Sequence, residues 1–227
     1  TVSHELRTPL TSVKGFVTTL MDDTDDIYDR ETRQEFYEII DSECDRLTRL
    51  ITDILNVSRI EAGRGVELHL DEVNLLELTD QVIDAQLAYT SDHTILNKLP
   101  GDMPTIIADS DKLIQILENL VNNAVRYSPD GGEIVITGED EGDTVRINVT
   151  DHGLGIPQAH QDRIFERFHV IDDEATRRSV KGTGIGLYLV QHLARAHGEK
   201  GAVWLERSEV GKGSTFSVRL PKNSKGD

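Results

Sequence analysis

Apolar residues at Leu6, Leu10, Val13, Phe16, Val17 and Leu20 recur at helical spacing and predict a first helix over residues 1 to about 22. The polar run Asp22-Asp23-Thr24-Asp25-Asp26 ends it, and Tyr28-Asp29-Arg30 leads into a second helix from about Glu31 to Ala62. Gly63 and Gly65 supply the C-terminal stop. Along this second helix Phe36, Ile40, Glu43, Leu47, Leu50, Ile54 and Val57 alternate steps of four and three, a heptad seam. Two helices of this length cannot bury both faces alone. An antiparallel hairpin paired with its own copy makes a four-helix bundle. Packing of the hairpin on the second half of the chain is the other way to cover the seam.

From Val66 the period shortens. Glu67-Leu68-His69-Leu70-Asp71 alternates as a strand does. A helix is expected from Leu75 to about Tyr89, then short strands at Ile95 to Leu99 and Thr105 to Ala108. Asp109-Ser110 can cap a helix that runs to about Arg126. Past the turn Ser128-Pro129-Asp130-Gly131-Gly132, strands Glu133 to Gly138 and Thr144 to Thr150 form a hairpin. A loop-rich stretch follows to Gly182, then a helix over Ile185 to His197. Strands Gly201 to Glu206 and Ser214 to Leu220 join through Gly211-Lys212-Gly213. Helices and strands do not alternate regularly, so the expected class is α+β, with helices on one face of a mixed sheet. The expected organisation is a helical hairpin over 1–63, a second domain over 66–222 joined by a short glycine-bearing hinge, and a frayed tail over 223–227.

Charge removes some partners. The 227 residues carry a net charge of −17, which disfavours nucleic acid and an anionic membrane surface. Cys44 is the single cysteine, so no intramolecular disulfide forms and no cysteine cluster holds a metal. No apolar run reaches the roughly 20 residues of a membrane span. The chain lacks an initiator Met, and the expectation is a cytoplasmic piece of a longer protein whose sensory or membrane parts lie upstream.

Two groups of residues carry candidate chemistry. His4 and Thr8 sit four apart on one face of the first helix, with Glu5 about 100° round from the histidine. A carboxylate that accepts the Nδ1 proton leaves Nε2 the better nucleophile. The second group is spread over four segments. Asn119 and Asn123 share a helix face and offer hard amide oxygens that suit Mg²⁺, and Arg126 can reach a phosphate. Asp151-His152-Gly153-Leu154-Gly155-Ile156-Pro157 places a carboxylate able to accept from a base amine, beside glycines that let backbone approach a ligand. Gly182-Thr183-Gly184-Ile185-Gly186-Leu187 opens a helix, where backbone N–H groups favour phosphate. Phe165-Glu166-Arg167-Phe168 lies between them; two aromatics three apart pack a core more often than they gate a site.

The segment Ser3-His4-Glu5-Leu6-Arg7-Thr8-Pro9-Leu10 closely resembles the H-box of sensor histidine kinases. The four later segments resemble, in order, that family's N, G1, F and G2 boxes, and Gly211-Lys212-Gly213-Ser214-Thr215-Phe216 resembles its final strand turn. The resemblance covers essentially the whole chain. It implies a dimerising hairpin followed by an α/β sandwich of the GHKL (Bergerat) ATP-binding type, with ATP and Mg²⁺ as cofactors. It makes His4 the phosphoacceptor, Glu5 its acid/base partner and Thr8 a residue that places water for dephosphorylation of a partner. It puts Asp151 on the adenine amine, with Tyr127, Gly153, Gly155, Ile156 and Leu187 around the nucleotide. Asn119 and Asn123 face Mg²⁺ and phosphates, with Asn123 the stronger metal candidate. Lys181, Gly182, Thr183, Gly184 and Gly186 lie near phosphate, and residues from about His169 to Lys181 form a mobile lid in which Arg177, Arg178 and Lys181 can contact it. The implied partners are a second copy of the chain and the receiver domain of a response regulator. Arg126 stands where lysine is frequent, which keeps the charge and alters donor geometry. An ATP-driven clamp on the same nucleotide fold, and a kinase-like scaffold without catalysis, are the competing readings.

Overall fold

The computed structural model describes residues 2–23, 27–63, 65–88, 90, 92–171 and 183–224; the side chains of residues 2, 4 and 5 lie outside that description. It divides into two compact units, Thr1–Ser58 and Arg59–Asp227.

The first unit is a helical hairpin. Helix α1 spans Val2–Asp22 with Pro9 inside it, and α2 spans Arg30–Glu61. The connection is held by Asp23, whose Oδ2 accepts from Arg33 Nε and Nη2 at 3.0 and 2.7 Å and whose Oδ1 accepts from the Ile27 N–H at 2.7 Å. Asp29 caps α2 by accepting from the Thr32 N–H at 2.8 Å. The ring of Phe16 meets that of Phe36 at 5.1 Å, and Tyr28 meets Phe36 edge-on at 5.2 Å, so the helices touch beside the turn. The seam predicted on α2 is the less exposed face: Phe36, Ile40, Glu43, Leu47, Leu50 and Ile54 are half-buried and Val57 is buried. Leu10, Val17 and Met21 on α1 and Ile51 and Leu55 on α2 remain exposed.

The second unit is a sandwich of helices on a sheet. Strand β1 (Asp71–Val73) is followed by α3 (Leu75–Leu87), β2 (His93–Lys98), β3 (Ile106–Ala108) and α4 (Ser110–Arg126). Then come β4 (Gly132–Asp140), β5 (Thr144–Thr150), a one-turn α5 (Gln158–Gln161), α6 (Gly186–Ala196), β6 (Ala202–Glu209) and β7 (Gly213–Pro221). The main sheet has the order β2-β4-β5-β7-β6; β2 runs parallel to β4 and the other pairs are antiparallel. Period-two alternation sends Ile134, Ile136, Val145, Ile147, Val149, Phe216, Val218 and Leu220 to one face, where all are buried. Leu78 and Val82 of α3, Leu113, Ile116, Leu117 and Leu120 of α4 and Leu189 and Leu193 of α6 complete that core. The opposite face closes on itself. Ser217 Oγ donates to Asn148 Oδ1 at 2.7 Å, Asn148 Nδ2 donates to Thr137 at 3.1 Å, and Trp204 Nε1 donates to Glu206 at 2.5 Å.

Two asparagine and aspartate caps set the helix starts. Asn74 accepts from the Leu76 and Glu77 N–H groups while its amide donates to Glu77 at 2.9 Å, a reciprocal box. Asp109 accepts from the Lys112 N–H at 3.0 Å and, with its other oxygen, from the His69 N–H at 2.7 Å. The Asp109 N–H in turn donates to Nε2 of the fully buried His197, whose Nδ1 bonds the Leu193 carbonyl at 2.8 Å.

One expectation is corrected. The strand expected over Glu67 to Asp71 forms instead over Asp71–Val73, paired antiparallel with β3, because the His69 N–H is spent on the Asp109 side chain. Of the expected tail, residues 225–227 lie outside the described residues; the Ser224 N–H donates to the Ile107 carbonyl at 3.0 Å and Ser224 is buried. Ile60, near the end of α2, packs against the core of the second unit.

Candidate functional site

Asp151 directly follows β5, at the point where the sheet gives way to the loop, and it is buried. Its Oδ1 accepts from the Gly153 N–H at 2.9 Å and the Ser214 N–H at 3.1 Å. Burial pushes its carboxyl above the ordinary aspartate range, and those two N–H groups pull it back only in part. With Oδ1 held by protein, Oδ2 remains for a donor.

The loop after Asp151 can be built only with glycine at two places. A Cβ on Gly153 would lie 2.0 Å from the Tyr127 carbonyl oxygen, to which the Leu154 N–H donates at 2.9 Å. Gly155 has φ +67°, and a Cβ there would lie 2.1 Å from the Glu209 carbonyl oxygen. Ser208 fixes the loop's far side by accepting from the Ile156 N–H at 2.8 Å and bonding Ser214 Oγ at 2.9 Å.

Asp151 lies in the wall of a cleft of about 510 Å³, its open mouth included. The sequence-predicted residues Asn123, Tyr127, Asp151, Gly155, Ile156 and Leu187 all line it. Ile164, His169, Ile171, Ser214 and Phe216 line it too, and were not among the predicted site residues. Ser214 and Phe216 stand within the Gly-Lys-Gly-Ser-Thr-Phe turn, so their order in the chain was the available signal. His169 and Ile171 fall at the start of the expected lid, and Ile164 sits in an aperiodic stretch that carries no signal. The walls are mainly apolar, with an amide, a phenol, a carboxylate, an imidazole and a serine as polar points, the composition of a site for a flat aromatic ligand with a few directing groups.

One rim of the cleft meets the start of α6. Thr183 Oγ1 accepts from the Ile185 N–H at 3.3 Å. Gly184 has φ +66°; a Cβ there would meet the His169 carbonyl oxygen at 2.6 Å, and the Phe168 N–H donates to the Gly184 carbonyl at 3.0 Å. A Cβ on Gly186 would lie 2.6 Å from Asn119 Oδ1. Asn119 therefore stands against the helix start, its Nδ2 bonded to the Gln115 carbonyl at 2.8 Å, rather than in the cleft wall with Asn123. Arg126 ends α4 exposed and is not among the lining residues. Lys181 and Gly182, with Arg177 and Arg178, lie outside the described residues, as does most of the expected lid.

The two aromatics between these segments part company. Phe165 packs edge-on against Phe216 at 6.4 Å, as a core residue does. Phe168 is exposed, and it alone among the described non-glycine residues has positive φ, +62°. The Arg167 guanidinium lies 4.7 Å from the Phe168 ring centroid and pairs with Glu61 at the end of α2. In the hairpin, His4 and Glu5 fall within α1 with their side chains outside the described residues, and Thr8 is exposed on the same helix.

The second unit thus holds an apolar cleft with one carboxylate oxygen open to a donor, framed by loops in which a Cβ at Gly153, Gly155 or Gly184 would strike neighbouring backbone. Comparison with known proteins agrees. The family model described as histidine kinase-, DNA gyrase B- and HSP90-like ATPase matches residues 108–224, and that of the His Kinase A (phospho-acceptor) domain matches residues 1–63. Among curated relatives, the sensor histidine kinase WalK of Bacillus subtilis is 31% identical over 97% of this chain and 35% of its own length. The sensor-like histidine kinase SenX3 of Mycolicibacterium smegmatis is 32% identical over 97% of this chain and 56% of its own. The chain thus spans about a third to just over half the length of these relatives. Among solved structures, full-length ShkA in complex with AMPPNP is 32% identical at a TM-score of 0.70, covering 99% of this chain and 45% of that one. Histidine kinase ThkA in complex with response regulator protein TrrA is 27% identical at a TM-score of 0.64, covering 97% of this chain and 60% of that one. The chain belongs to the histidine kinase-, DNA gyrase B- and HSP90-like ATPase family, and it joins that ATPase domain to the phospho-acceptor domain of two-component histidine kinases.

Proposed function

We propose that this chain is a protein-histidine kinase that transfers the γ-phosphoryl group of ATP to His4 and then to an aspartate of a response-regulator receiver domain. The observation that carries the reading is the Asp151 carboxylate, fixed through one oxygen at the wall of an apolar cleft and offering the other to the exocyclic amine of adenine. Tyr127, Ile156, Ile164, Leu187 and Phe216 surround the base. Asn123, on the cleft-lining side of α4, holds Mg²⁺ through its amide oxygen, and Asn119 supports the start of α6, where Thr183, Gly184 and Gly186 face the phosphates with backbone N–H groups. Arg126 and Lys181 supply positive charge toward them.

Transfer rests on positioning and charge neutralisation more than on covalent chemistry by the protein. The His4 imidazole supplies a nitrogen lone pair, Glu5 orients it and takes up its proton, and Thr8 serves the reverse, hydrolytic step on the partner. Leu10, Val17 and Met21 of α1 with Ile51 and Leu55 of α2 form the apolar face that supports a homodimer. Among the described residues no helix is long and apolar enough to cross a membrane.

The test is label transfer from γ-labelled ATP, comparing the parent with His4→Gln and Asn123→Ala. Acid-labile label lost in both variants supports the reading. Label that survives His4→Gln sinks it, and nucleotide binding without label points to a clamp or scaffold.

A further inference from the structure

Two histidines outside the kinase chemistry face each other at the edge of the nucleotide cleft. His160 lies in the single turn of α5, and His169 lines the cleft nine residues later. His160 Nδ1 and His169 Nε2 lie 3.2 Å apart, with ring centroids at 5.3 Å. A hydrogen bond between them needs one proton on one of the two nitrogens. If that proton moves to the other nitrogen of its own ring, both lone pairs converge on one point and net protonation is unchanged.

The spacing suits a cation. With metal–nitrogen bonds of about 2.1 Å, nitrogens this far apart subtend about 100° at a shared ion, between the tetrahedral and octahedral angles. The backbones of both residues are fixed. The His160 N–H donates to the Pro157 carbonyl at 2.9 Å, and the His169 carbonyl lies against Gly184 at a distance that excludes a Cβ. Among the described residues no three His, Cys, Asp or Glu side chains gather into a metal cluster, so water or a nucleotide oxygen completes the coordination.

We propose that His160 and His169 form a two-imidazole site for a late first-row divalent cation such as Ni²⁺ or Zn²⁺, and that its occupancy alters nucleotide affinity through His169. The ligand set separates it from the Mg²⁺ site, since Mg²⁺ demands oxygen. The coupling half rests on the nucleotide reading of the cleft; the metal half does not.

The experiment titrates Ni²⁺ alone into the whole chain by calorimetry, for the parent, His160→Asn, His169→Asn and the double variant. ADP is then titrated with and without one equivalent of Ni²⁺. The parent should bind one equivalent more than the double variant, and each single substitution should weaken that event by roughly 100-fold, as expected when one arm of a chelate is lost. ADP affinity should shift at least about fivefold with Ni²⁺ in the parent and not in His160→Asn, whose metal-free ADP affinity should match the parent's because His160 does not line the cleft. Equal Ni²⁺ binding by the parent and His160→Asn overturns the site. Binding lost in the variants with no shift of ADP affinity in the parent overturns the coupling. A parent that binds no ADP with Mg²⁺ alone present sinks the nucleotide reading and leaves the Ni²⁺ comparison standing.

Discussion

Replacing Asp151 with Asn changes one group and inverts its hydrogen-bonding sense. Oδ1 accepts from two backbone N–H groups, Gly153 and Ser214, so the side-chain oxygen of an asparagine is compelled to stay there. The amide NH₂ then occupies the Oδ2 position, and an acceptor facing the ligand becomes a donor. A 6-aminopurine loses a hydrogen bond to a charged group, worth about 1.5–3 kcal/mol, so ADP affinity should fall about 10- to 100-fold. A 6-oxopurine gains a partner, so inosine diphosphate should bind the variant better than the parent. The fold should not suffer. Burial raises the Asp151 carboxyl, which means the ionised form costs stability, and a neutral isostere removes that cost. Calorimetric titration of both nucleotides into both proteins gives the preference ratio, with thermal unfolding as the control. An ADP-to-IDP ratio unchanged within twofold in a variant of unchanged Tm would refute the placement of Asp151 against the base.

Three further outcomes follow from the same geometry. Gly184→Ala must hold φ near +66°, which costs about 1–2 kcal/mol, and thrust a Cβ 2.6 Å from a backbone oxygen; it should lower both Tm and ADP affinity, while Gly15→Ala on the exposed side of α1, with nothing within 4 Å, should raise stability by about 0.5–1 kcal/mol. His197 is buried and neutral, its pKa held below 6.5 by burial, so its contribution is fully present above pH 6.5 and is lost as pH falls toward the depressed native value; the unfolding free energy of the parent should drop below pH 6.5 with a slope approaching ~1.4 kcal/mol per unit more than that of His197→Gln, and parallel pH profiles would defeat the assignment. Leu55→Asp on the exposed face of α2 removes an apolar contact that a two-fold dimer makes twice, about 3–6 kcal/mol in total, so sedimentation velocity should find monomer where the parent is dimer; an unchanged mass would place the interface elsewhere.

What the sequence disclosed depends on which interactions are local. Helix α4 begins and ends where Asp109 and Arg126 said it would, because its cap and last turn are written within a few residues. Strand β5 matches Thr144 to Thr150 because alternation is also local. The strand expected over Glu67 to Asp71 failed because pairing is not: the alternating segment meets an aspartate side chain 40 residues on, and the partner strand β3 aligns only with Asp71–Val73. Asn119 and Asn123 share a face as the spacing required, but the cleft takes one and the start of α6 takes the other, a choice made by where α6 packs.

The same logic explains why the missed cleft residues cluster. Ile164, His169 and Ile171 belong to a stretch whose conformation is dictated from outside it: Gly184 receives the Phe168 N–H, and Phe165 is anchored on Phe216 of β7. A segment shaped by distant partners has no period to read. It can also vary without disturbing the sheet, since none of its backbone enters the ladder. That freedom is where a two-histidine contact can arise beside a nucleotide cleft whose other walls are constrained by the core.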